Sequence, residues 1–171
     1  MHLHDPGPGD VAAVLSDALD VVHATRGWRT LHAPLGVVTN LARAVFTHPA
    51  AAWFYLDPAQ VQVAVVAQLR RPPGRGALTT GPAPEDPTGL GSESERFRAL
   101  WAGPVVTHRP RAPYEVRHPA LGVLALDRAT ARRPDGTWSE RLVPRAGDRK
   151  ARDADLLALL DLLDELPSRN S

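Results

Sequence analysis

His118-Pro119-Ala120-Leu121-Gly122-Val123-Leu124-Ala125-Leu126 is a turn that opens into an alternating strand. Proline has no backbone donor and disfavours helix at the residue before it, so His118-Pro119 closes one extended run and starts a turn. Past Gly122, Leu124 and Leu126 fall on one face and Val123 and Ala125 on the other, which is the period of a sheet strand. Upstream, Ser94-Glu95-Arg96-Phe97-Arg98-Ala99-Leu100-Trp101 places Phe97, Leu100 and Trp101 at i, i+3 and i+4. At that spacing the three side chains leave one side of a helix together. Aromatic residues set by a helix against a small antiparallel sheet make an α+β arrangement suited to an apolar pocket, and favour a binding module over an enzyme.

The chain has 171 residues, enough for a single domain, with a formal net charge of +1 and no cysteine. Near-neutrality argues against a strongly basic nucleic-acid surface, and the lack of thiols excludes disulfides and cysteine-ligated zinc. Lys150 is the only lysine among the cations, and with abundant Ala, Pro, Leu and Val this reads as the bias of a GC-rich bacterial genome. No run approaches the roughly 18–20 apolar residues of a membrane span, and Met1–Pro6 lacks the basic and apolar regions of a signal peptide. No membrane partner and a cytoplasmic location are therefore expected.

Residues 1–9 read as a flexible lead-in, 10–166 as one folded domain and 167–171 as a tail. Asp10 is a candidate cap for a helix to about Leu19. Asp20–Thr25 and Trp28–Ala33 read as two strands of a hairpin around Arg26-Gly27. Asn40–Thr47 and Ala50–Leu56 read as helical, and Asp57-Pro58 starts a helix running to about Arg70. Residues 72–91, rich in Pro, Gly and Thr, read as a mobile loop. Ser92 with Glu95 suggests a capping box for the helix ending at Trp101. Val105–His108, Pro113–His118, Leu121–Arg128 and Thr137–Pro144 read as strands, and Arg152–Leu166 as a helix with Leu156, Leu159, Leu160 and Leu163 inward.

Catalytic signals are weak. The seven histidines form no HExxH motif and no i, i+4 helical pair, and no GxSxG elbow or phosphate-binding glycine loop occurs. No catalytic residue, metal ligand or cofactor is assigned, and the chain is read as a non-enzyme. Arg109, Arg111, Arg117, Arg128, Arg132 and Arg133 form a basic cluster that reads first as a charged sheet edge and second as an anchor for a carboxylate.

Three blocks in order resemble the MmyB-like ligand-binding domain of actinobacterial transcription regulators. They are Asn40-Leu41 through Phe46, Pro49-Ala50-Ala51 and on to Arg70; Ser94, Phe97, Arg98, Leu100, Trp101 and Ala102; and His118, Pro119, Gly122, Leu124 and Leu126. The resemblance covers about residues 40–128. It implies a PAS-like antiparallel sheet flanked by helices, holding a small hydrophobic molecule, with a fatty-acyl chain as one expected type. Phe46, Phe97, Leu100 and Trp101 would line the pocket, Val116 and Leu124 would face them, and Arg117 would meet a ligand carboxylate.

Family members usually carry a helix-turn-helix of the XRE type before this domain, whereas residues 1–39 lack the paired-helix pattern. Direct DNA binding by this chain is therefore not expected. The alternative expectation is an interaction module that homodimerises or pairs with a full-length regulator.

Overall fold

Among the described residues, five strands form one open antiparallel sheet. The chain's second strand lies at one edge, followed across the sheet by the first, fifth, fourth and third, with the main helices inserted between the second and third. The computed structural model describes residues 7, 9–71 and 85–163. Along the chain run β1 (Ala12–Leu15), β2 (Val21–Ala24), α1 (Arg26–Leu31), α2 (Leu41–Thr47), α3 (Ala51–Phe54), α4 (Pro58–Leu69) and α5 (Glu95–Ala102). Then come β3 (Arg111–His118), β4 (Gly122–Arg132), β5 (Trp138–Pro144), α6 (Lys150–Ala158) and α7 (Leu160–Leu163). This is a single α+β domain with a PAS-like sheet.

The helix starts follow from local capping. The Asn40 carboxamide oxygen accepts from Arg43 N–H at 2.9 Å, and the Asp57 carboxylate accepts from Gln60 N–H at 3.1 Å. Each satisfies one amide that the first helical turn leaves without a partner. Both His-Pro turns use one device. The Nδ1 of His48 accepts from Ala50 N–H at 3.1 Å, and that of His118 from Ala120 N–H at 3.2 Å. With proline at the middle position, the imidazole takes the next amide, much as an Asx side chain does in its turn.

The N-terminal third differs from expectation. Residues 12–15 form a central strand instead of a helix, pairing with β2 on one side and β5 on the other. Val11-Ala12-Ala13-Val14-Leu15 is too short and uniformly apolar for periodicity to separate helix from buried strand. Trp28–Ala33 is not a strand: α1 occupies most of it, capped by Thr25, whose Oγ1 accepts from Trp28 N–H at 3.3 Å. That oxygen also accepts from Ala12 N–H at 3.1 Å, so one hydroxyl both starts α1 and ties it to β1.

Further along, the cap of α5 is Ser94, not Ser92, with Phe97 N–H donating to its Oγ at 3.1 Å. Val105–His108 forms no strand, and Val105 is 68 % exposed. The C-terminal helix divides at Leu159; Leu157 and Leu160 face inward while Leu159 is exposed. The expected continuation to Leu166, the 167–171 tail, and most of the 1–9 lead-in lie outside the described residues. Residues 72–84 of the expected mobile loop also lie outside them. Its described end is organised by Asp86, which accepts from the backbone N–H groups of Thr88 at 2.8 Å and Gly91 at 2.9 Å.

The sheet has two unlike faces. Tyr114, Val116, Leu124, Leu126, Trp138, Glu140 and Leu142 point under the helices and are buried. On the other face Arg145 Nε meets Asp127 at 3.0 Å, and its Nη1 meets Glu115 at 2.5 Å. Ion pairs this exposed are worth about 0–1 kcal/mol each, so the helix-covered face carries the stability.

Asp153 docks α6. Its carboxylate is 1 % exposed and accepts from Ala125 N–H of β4 at 3.1 Å. Asp153→Ala removes the carboxylate that accepts from this part-buried amide, and a loss of about 1–3 kcal/mol is expected from the shift in urea midpoint. Asp153→Asn, which keeps an acceptor oxygen, should recover much of that loss.

Candidate functional site

Between α1, α3, α4 and the inner sheet lies a chain of buried polar groups in an otherwise apolar core. His32 is fully buried; its Nδ1 lies 2.8 Å from Trp28 O and its Nε2 lies 2.8 Å from Tyr114 Oη. A carbonyl only accepts, so Nδ1 carries the proton and Nε2 receives the Tyr114 hydroxyl. Tyr114 then accepts from Tyr55, 3.0 Å away. The direction of every proton is thereby fixed: Tyr55 to Tyr114 to His32 to the Trp28 carbonyl. Burial pushes the His32 pKa down to about 4 and both tyrosine pKa values up, so all three groups are neutral at pH 7.

Trp28 joins this chain to a second one. Its indole Nε1–H donates to Glu140 Oε1 at 2.8 Å, and Arg128 Nε donates to Glu140 Oε2 at 2.6 Å. Arg128 Nη2 in turn donates to Gln68 Oε1 at 2.7 Å. Glu140, Arg128 and Gln68 are each at most 4 % exposed. A buried charge is tolerated when paired and hydrogen-bonded, and both oxygens of Glu140 have partners.

Trp28 and His32 also line an open cleft of about 380 Å³, together with Arg29, Ala33, Gly36, Val37 and Val38. A second cleft of about 200 Å³ lies between α4 and α5, lined in part by Val63, Ala67, Arg70, Leu100 and Val106. Small-molecule sites typically span about 300–1,000 Å³, which only the first reaches. Val37 at its edge is 87 % exposed, an apolar side chain left facing solvent.

The residues expected to bind ligand separate into three groups. Phe97 and Trp101 stack with ring centres 5.5 Å apart, and Phe46 meets Phe97 edge-on at 5.1 Å. With Val116 and Leu124, which face each other across β3 and β4, they belong to one hydrophobic core. None of these five lines either cleft, whereas Leu100 lines the smaller one. Arg117 stands apart: it alternates with Val116, donates to Trp53 O at 2.8 Å and lies over the Trp53 ring at 5.7 Å.

The basic cluster divides as well. Arg111 pairs with Asp127, Arg132 with Asp17 and Arg133 with Asp135, while Arg128 is the buried partner of Glu140. Among the described residues, no group of three His, Asp or Glu side chains converges as a metal site would require. No helix among them is long and apolar enough to cross a membrane.

Residues 3–160 match the MmyB-like transcription regulator ligand binding domain. The chain belongs to that family. No curated protein matches it. Membership of the MmyB-like family makes this a regulator's ligand-binding domain, and the match takes in all three blocks on which the resemblance rests, Asn40–Arg70, Ser94–Ala102 and His118–Leu126. The family's regulatory role also argues against an enzyme.

The depressed His32 pKa has a sign that can be tested. The folded protein binds the proton less well than the unfolded chain, whose histidine keeps the ordinary value of 6.5. Stability from this group is complete above about pH 6.5 and is lost as pH falls toward 4, at up to about 1.4 kcal/mol per pH unit. His108, also lowered to about 4 by burial and the nearby Arg71 and Arg128 charges, acts in the same direction. Urea midpoints measured from pH 7 to 4 should fall, and His32→Gln should flatten the slope.

Proposed function

We propose that this MmyB-like domain senses a small, mostly apolar molecule of fatty-acyl type, seated in the cleft beside α1. The observation that carries the reading is that cleft: it has ligand-sized volume, apolar walls at Ala33, Val37 and Val38, and a floor made by Trp28 and His32. The floor is held by the buried polar chain, so a ligand resting on it would meet a preorganised surface.

The signal has a physical route outward. α7 packs against α1, and its Leu160 is fully buried in the core. A ligand that favours one position of α1 shifts the packing of the C-terminal helices in proportion to its differential affinity for the two positions. The aromatic wall of Phe46, Phe97, Leu100, Trp101, Val116 and Leu124 is the competing location, reached through the smaller cleft at Leu100.

The experiment is a titration with fatty acids of increasing chain length, read by tryptophan fluorescence and calorimetry, on three proteins. Ala33→Trp fills the cleft beside α1, and Leu100→Trp fills the smaller one. Saturable binding abolished by Ala33→Trp and retained by Leu100→Trp supports the proposal; the reverse pattern moves the site to the aromatic wall.

A dimerisation module is the second reading, favoured by β2, a sheet-edge strand on which Val22 is 62 % exposed. Such an edge pairs readily with another strand, from a second copy or a full-length regulator. A dimeric mass with no ligand binding would favour it.

A further inference from the structure

Among the described residues, Arg29 is the one charged side chain that lines the cleft beside α1. Arg29, His32 and Ala33 stand at i, i+3 and i+4 along α1 and the turn that follows it, so they share the side of the helix that faces the cleft. Arg29 is exposed, and no carboxylate among the described residues pairs with its guanidinium. An arginine keeps its charge at any ordinary pH, so the cleft carries a permanent cation at its wall.

The other polar side chains of the lining are already engaged. The Trp28 indole N–H is held by Glu140, and the two ring nitrogens of His32 are taken by the Trp28 carbonyl and the Tyr114 hydroxyl. Ala33, Gly36, Val37 and Val38 bring no polar side chain at all. Side-chain recognition of a polar headgroup therefore falls to Arg29. Arg117, the arginine expected to meet a carboxylate, does not line this cleft and has its guanidinium over the Trp53 ring.

The charge balance says which headgroup fits. His32 is neutral, and the Glu140 charge behind Trp28 is matched by Arg128. One uncompensated positive charge is left, beside apolar walls. A guanidinium fork holds a carboxylate through two parallel hydrogen bonds, which are stronger where water is partly excluded. A single carboxylate neutralises a single cation, whereas a doubly charged phosphate would leave net charge against Val37 and Val38.

We infer that Arg29 is the residue that sets headgroup specificity in this cleft, selecting a ligand with a free carboxylate. The carboxylate sits on the guanidinium, and the chain runs along Val37 and Val38 over Trp28. This rests on the reading of the cleft as a fatty-acyl site. It adds that the free acid is held in preference to the corresponding alcohol or ester, and names the residue responsible.

The test titrates the full chain with decanoate and with decanol, read by tryptophan fluorescence at fixed ionic strength. Decanoate should bind the wild-type chain about ten-fold more tightly than decanol, the size of effect a charge-assisted hydrogen bond supplies. Arg29→Gln should remove that preference, so that the two compounds bind the variant alike. Arg29→Lys, which keeps the charge and loses the fork, should retain part of it. Thermal unfolding of each variant checks that the fold is kept. Equal binding of the two compounds by the wild-type chain, or an undiminished preference in Arg29→Gln, overturns the role of Arg29 and leaves the cleft as a site. Failure of both compounds to bind the wild-type chain, or decanoate binding that survives Ala33→Trp, overturns the reading of the cleft and this inference with it.

Discussion

Glu140→Ala lowers the unfolding free energy by about 3–5 kcal/mol, because it leaves the buried Arg128 guanidinium without its counter-charge. The pair is held at 2.6 Å with both side chains almost wholly out of water. Domains of this kind are stable by about 5–15 kcal/mol in total, so the variant should be marginal at room temperature. The cost comes from the stranded charge and not from the attraction itself. Glu140→Met combined with Arg128→Met should therefore lose clearly less than the sum of the two single changes. Chemical denaturation of the four proteins reads this directly; simple additivity would mean that the ion pair is already hydrated.

Trp28→Ala is the second large effect, at about 3–5 kcal/mol from lost packing alone. Trp28 is 1 % exposed, and its indole is one of the two groups that satisfy Glu140. Trp28→Phe narrows the contributions: it keeps a buried aromatic ring, smaller by the pyrrole part of the indole, and removes the Nε1–H donor, with an expected loss of about 1–3 kcal/mol. Trp28→Ala removes the floor of the cleft and Trp28→Phe reshapes it, so ligand binding by Trp28→Phe should weaken even where the protein remains folded. A Trp28→Phe protein with unchanged stability would show that Glu140 does not need the indole.

The C-terminal half of the fold was legible because its signals are local. The alternation from Gly122 onward puts Leu124 and Leu126 on one face, and that face is buried. Asn40 and Asp57 announce helix starts through side-chain chemistry that reads the same in sequence and structure. The N-terminal third lacked such signals. Whether residues 11–15 form a strand is decided by β5, more than a hundred residues away, and α1 depends on a Thr25 hydroxyl shared with β1.

The candidate site was partly legible for the same reason. Period two already places Glu140 on the face of Trp138 and Leu142, and Arg128 on that of Leu124 and Leu126. A charged residue amid an apolar strand face signals a buried partner. Which charge meets which is a cross-strand and cross-helix fact. Joining Glu140 to Trp28 and Gln68 to Arg128 requires the fold itself. The rings that aromatic spacing brings together pack against one another, while the larger cleft lies beside α1, whose sequence carries a strand-like pattern.

Native mass spectrometry of the purified chain, alongside Ala33→Trp and after solvent extraction, tests the central claim most directly. The account predicts a co-purified small apolar molecule, bound one per chain, that is absent from the Ala33→Trp protein while the fold is retained. A ligand-free wild-type chain that also fails to take up any fatty acid on titration would contradict it, as would a ligand that remains bound when the cleft beside α1 is filled.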